Sequence, residues 1–61
     1  LLQKAIHTLP EKQKLVFNLR FYDEMEYEQI CEILSISMSA AKTNFHLAKE
    51  KIKSYIQSQP L

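Results

Sequence analysis

The sequence predicts an all-α fold, a small domain of four helices, and three observations carry that prediction. Glycine is absent from all 61 residues, which disfavours a β-rich fold built on tight hairpins. Apolar residues recur at intervals of three and four along most of the chain, the period of an amphipathic helix. Thr8-Leu9-Pro10-Glu11, Asp23-Glu24-Met25-Glu26 and Ser35-Ile36-Ser37 interrupt that period with capping, proline and acidic residues. They divide the chain into helices at about residues 1–7, 10–22, 27–34 and 38–57, a single domain over 1–57, and leave 58–61 as a flexible tail.

In the first helix, Leu2, Ala5, Ile6 and Leu9 follow the i, i+3, i+4, i+7 spacing of a short amphipathic segment. Thr8 is expected to cap the second helix, with Glu11 reaching back to it three residues later and Pro10 tolerated in the first turn, where its missing N–H is no loss. That helix should turn Leu15, Val16, Leu19 and Tyr22 inward. Phe17, Met38 and Leu47 fall outside the apolar faces assigned to their helices. The acids of 23–26 form a polar connector and suit the N-terminus of the third helix. There Tyr27, Ile30, Cys31 and Leu34 make a buried face, with Cys31 as a small core residue.

The fourth helix is the longest and has two sides. At about 100° per residue, Ala41, Phe45, Ala48, Ile52, Tyr55 and Ile56 gather on a dry face, and Lys42, His46, Lys49 and Lys53 form a basic stripe beside it. Ser37 is a good N-cap, because its hydroxyl can accept from a first-turn amide that lacks a helical partner. Ser39, Ala40 and Ala41 keep the first turn slim enough for close approach to another surface. A short helix, a three-residue turn with an apolar residue at its centre and a second helix with a small-residue start make a C-terminal helix-turn-helix, with Ile36 plugging the corner.

Composition narrows the functions. A domain of this size buries only about 60% of the surface its unfolded chain exposes, so the core must be compact. Residues 1–36 carry four basic and six acidic side chains, or −2, whereas residues 37–61 carry four lysines against Glu50, or +3. A polyanion should therefore prefer the last helix. Without glycine there is no phosphate-cradling Gly-rich loop. No side-chain trio suggests a nucleophile activated by a base, so the chain reads as a non-enzyme without cofactor, and no ligand pair at helical spacing makes His46 a metal ligand. No apolar run approaches the roughly 20 residues that cross a bilayer. Cys31, being alone, cannot form an internal disulfide, which fits a cytoplasmic protein. A chain that opens at Leu1 and not at methionine reads as a module of something longer.

The residue pattern also resembles a known family. Leu9-Pro10-Glu11, then Val16-Phe17-x-Leu19-Arg20, then Tyr27-x-Gln29-Ile30-x-Glu32-Ile33-Leu34-x-Ile36-Ser37, then Lys42-x-x-x-His46-x-Ala48-x-x-x-Ile52 is similar to region 4 of bacterial RNA polymerase sigma factors of the extracytoplasmic-function subgroup. The helix-turn-helix half alone also resembles the output domains of response regulators; the Leu-Pro-Glu helix before it favours the sigma factor. The resemblance implies a promoter-recognition domain that binds the minus-thirty-five element of duplex DNA through its last helix and touches the flap of core RNA polymerase, with an anti-sigma factor as a further partner. Lys42 and Thr43 match recognition-helix positions that face DNA, and His46 and Lys49 lie on the same side. The DNA-binding set expected is then Ser39, Ala40, Lys42, Thr43, His46 and Lys49, the short side chains near base edges and the lysines near phosphates.

The chain departs from the family pattern at four positions. Glutamate and serine stand at 24 and 35, where glycine is common, Glu26 stands at a position that is commonly a serine cap, and Leu47 stands where arginine is frequent. Ser35 should then occupy a left-handed position after the third helix, which serine adopts at some cost. Two other readings of the chain are a response-regulator-type domain, which would be expected to dimerise, and a helical adaptor with no nucleic-acid role.

Overall fold

A computed structural model describes residues 1–60, and the chain in it is all-helical: α1 Leu2–His7, α2 Glu11–Phe21, α3 Tyr27–Leu34 and α4 Met38–Gln57. The last residue of the expected tail, Leu61, lies outside the described residues. Ser58 and Gln59 are tied to the end of α4, the Ser58 hydroxyl donating to the Tyr55 carbonyl at 2.9 Å and the Gln59 side-chain Nε2 to the same oxygen at 3.3 Å.

The α4 helix is the spine against which the other three pack. Ala41, Ala48 and Ile52 are its buried residues, and the two alanines, having no side chain beyond Cβ, let the other helices come close. Its N-terminal half meets Val16 of α2 and Ile30 of α3, both fully buried, with Leu19, Met25, Cys31, Leu34 and Ile36 packed around them. The C-terminal half meets Ala5 and Ile6 of α1, then Leu9 and Phe17. Phe45 touches both groups and joins them into one core. Full burial of a side chain such as Val16 or Ile30 is worth about 1.5–3 kcal/mol.

Several expectations fail at α1 and α2. Thr8 does not cap α2. It ends α1, its hydroxyl donating to the Ala5 carbonyl at 2.6 Å. Pro10 takes the N-cap position of α2, with φ −55° and ψ 151° and no side-chain bond. Leu15 and Tyr22, expected inside, are 40% and 51% exposed, and Phe17 is buried in their stead. The reason is geometric: α2 meets α1 and α4 on its Gln13–Val16–Phe17 side, and Leu15 and Tyr22 lie off that side. Of the dry face expected on α4, Ile56 is exposed. Cys31 is half-buried, at the edge of the core.

The turn into α4 follows the expected plan. Ser35 holds φ 56° and ψ 48°, the left-handed conformation. The Ile36 amide then donates to the Cys31 carbonyl at 3.2 Å, the long bond of a Schellman ending, and Ile36 and Cys31 belong to the same apolar group. Glu24 also has positive φ, 51°. Both positions where the family favours glycine are therefore left-handed in this chain, and they are the non-glycine residues at positive φ among those described. At the start of α3, Glu26 and Gln29 have the arrangement of a capping box, the Glu26 amide donating to the Gln29 side chain at 3.4 Å.

Candidate nucleic-acid interface

The exposed side of α4 is available because its N-terminus is capped from within. The Ser37 hydroxyl accepts from the Ala40 amide at 3.0 Å, and the Asn44 side chain donates to the Ala40 carbonyl at 2.8 Å. The backbone of the first turn is thus partly satisfied without any large side chain covering it.

Of the six site residues expected, Ser39, Lys42, Thr43, His46 and Lys49 are exposed on α4. Ala40 is half-buried, its backbone occupied at both polar atoms, and serves as a spacer. Ser39, Thr43 and His46 repeat at four and three residues, as do Lys42, His46 and Lys49, so two interleaved rows share one side. Lys53 continues the lysine row, whereas Lys51 lies off it. Glu50 is the single acid of α4. Leu47, where the family often has arginine, is exposed at 40% and adds an apolar edge.

The lysines of this side lean on aromatic rings of the core. Lys49 Nζ lies 4.9 Å from the centre of the Phe45 ring, and Lys42 Nζ lies 5.9 Å from that of Tyr27. Arg20, from α2, stands 4.8 Å from the same Tyr27 ring. Tyr27 in turn meets Phe45 edge-on with 6.3 Å between centroids. Among the described residues no lysine or arginine nitrogen comes within 4.0 Å of a carboxylate oxygen. Ring faces attract these cations while leaving their charge uncancelled, and the ammonium donors of Lys42 and Lys49 stay free for an anion. Sequence reasoning placed Tyr27 in the core and gave Arg20 no role, because contacts between different helices leave no trace in the period of any one of them.

Among the described residues no group of three or more histidine, cysteine or acidic side chains could hold a metal ion, and no helix is long and apolar enough to cross a membrane. A short helix, a left-handed turn and a long capped helix with one basic side together define a helix-turn-helix domain. The family model for sigma-70, region 4 matches residues 1–52. The chain is also 32% identical over 56 residues to the ECF RNA polymerase sigma factor SigW of Bacillus subtilis (strain 168), a stretch that covers 92% of this chain and 30% of that protein. The chain belongs to the sigma-70 region 4 family, a family of DNA-binding regulatory domains and not of enzymes.

Proposed function

We propose that this chain is the promoter-recognition domain of a sigma factor, binding the minus-thirty-five element through α4 and contacting core RNA polymerase elsewhere on its surface. The observation that carries the reading is the exposed side of α4: capped, small at its tip, and bearing Lys42, His46 and Lys49 with only Glu50 as an acid. In a helix-turn-helix the second helix enters the major groove by its N-terminal residues. Ser39 and Thr43 then face base edges with His46 beside them, Ala40 gives clearance, and Lys42 and Lys49 serve the phosphates, where counterion release supplies affinity.

The second contact has an available surface. Leu15 on α2, Tyr22 just after it and Ile33 on α3 are exposed apolar residues, Ile33 at 59%, away from the helix assigned to DNA. Core polymerase is the partner proposed for these side chains, and an anti-sigma protein would compete by covering either surface. The likeness to an RNA polymerase sigma factor supports this assignment, and the cytoplasm is the compartment proposed for it. The test is a pair of pull-downs with this chain, one on promoter duplex and one on core polymerase. A sigma domain engages both, a response-regulator-type domain mainly the duplex, and an adaptor neither.

A further inference from the structure

The Tyr27 ring is the meeting point of three helices' chemistry. It opens α3 directly after the Glu26 cap, has the Arg20 guanidinium 4.8 Å from its centre and Lys42 Nζ at 5.9 Å, and takes Phe45 edge-on. Arg20 is itself fixed, its Nη1 donating to the Met25 carbonyl at 2.9 Å. The ring is thus held from α2 and from α4, and one cation at its face, Lys42, has an exposed side chain and no carboxylate partner.

We propose that Tyr27 is a positioning residue for DNA binding, holding Lys42 at the corner of α3 and α4 so that Lys42 binds a backbone phosphate and does not read a base. This rests on the promoter-binding reading above and assigns roles within it. The first helix of a helix-turn-helix crosses the DNA backbone, while base edges meet the tip of the second. An ammonium drawn toward the first residue of α3 lies on the backbone side, away from the tip that carries Ser39 and Thr43. Lysine is also a point charge with rotatable donors, suited to phosphate, and lacks the planar fork that reads guanine bidentately. Arg20 is the clamp and not a second phosphate ligand, because Glu24 and Glu26 line the same surface depression and repel an anion there. Lys49 on Phe45 repeats the device on the next ring.

The test uses the full chain with two probes, a duplex carrying the sequence it selects from a randomised pool and a scrambled duplex, each titrated at several salt concentrations. Neutralising one phosphate contact lowers the slope of log K against log salt by about 0.9. Lys42→Ala and Tyr27→Leu are each expected to lose about that much slope while the selected-to-scrambled ratio holds, Tyr27→Phe to retain it, and the double variant to lose no more than either single one. In the wild-type chain the Lys42 ε-methylene protons should show an upfield ring-current shift that persists when duplex is added, a readout that needs no variant to fold. A collapse of the ratio in Lys42→Ala, additive losses in the double variant, or unshifted ε protons would overturn the assignment. Failure of the wild-type chain to bind either duplex would instead overturn the promoter-binding reading.

Discussion

Ser35 and Glu24 each carry a Cβ in a backbone region that disfavours one, at φ 56° and 51°. Ser35 cannot relax, because its left-handed turn lets Ile36 reach back to Cys31 and so sets the angle at which α4 leaves α3. Glu24 lies in the connector between α2 and α3, three residues beyond the end of α2, where the Met25 amide returns to the Leu19 carbonyl at 3.0 Å. Ser35→Gly and Glu24→Gly should each stabilise the domain by about 0.5–1 kcal/mol, since the steric penalty vanishes and glycine's greater unfolded-state freedom offsets part of the gain. The two turns share no partner, so their effects should add. Thermal melts of the single and double variants decide this, and a lower melting temperature for Ser35→Gly would mean that the turn is not under steric load. Gln13 is the opposite case, a polar side chain 8% exposed whose Oε1 has no hydrogen-bond partner. Gln13→Met keeps the volume and removes the unsatisfied carbonyl, so a gain of about 1 kcal/mol is expected by urea unfolding. A loss of stability would show that the Gln13 oxygen has a partner in solution, such as a buried water.

At the scale of the helices, what was legible in the chain depended on whether one helix alone determined it. The α3 and α4 bounds follow from local signals: Ser37 as a cap, the period of Ile30 and Leu34, and the run of small residues at the start of α4. The cap can be tested directly, because Ser37→Ala leaves the Ala40 amide without its acceptor and should cost about 1 kcal/mol in a melt. A melt unchanged from wild type would show that water replaces the hydroxyl at no cost. The α2 helix was misread because Leu15, Val16, Phe17 and Leu19 spread apolar surface around most of its circumference. Its low contrast between faces leaves the choice to whatever packs against it, and α1 and α4 select Phe17 over Leu15. Thr8 was misread for a related reason, since its hydroxyl had two local backbone groups within reach and took the Ala5 carbonyl behind it. The lysine row of the candidate interface was legible as a period, whereas the pairing of Arg20 and Lys42 through Tyr27 depends on three helices and could not be read from any one.

The whole molecule is a slender body of 40 × 19 × 15 Å with a net charge of only +1, so its hold on a polyanion depends on where a few cations stand. Lys42 is in the second turn of α4, near the end that meets the groove. Lys53 is 11 residues further along, roughly 16 Å at 1.5 Å per residue, where a helix entering end-on has left the bases and the nearest phosphates. Two lysines, Lys42 and Lys49, are therefore the phosphate contacts expected, and the slope of log K against log salt for the selected duplex should be about −1.8. Lys42→Ala should bring it to about −0.9, whereas Lys53→Ala should leave it close to the wild-type value. Such a shallow slope implies weak binding by this chain alone, and a second contact with polymerase would raise its effective concentration at the promoter without any new contact to DNA. Fluorescence anisotropy at low salt, with selected and scrambled duplexes, measures all three slopes. Equal losses for Lys42→Ala and Lys53→Ala on both duplexes would reduce α4 to a general basic surface, and a wild-type slope far steeper than two contacts supply would place DNA against other parts of the chain as well.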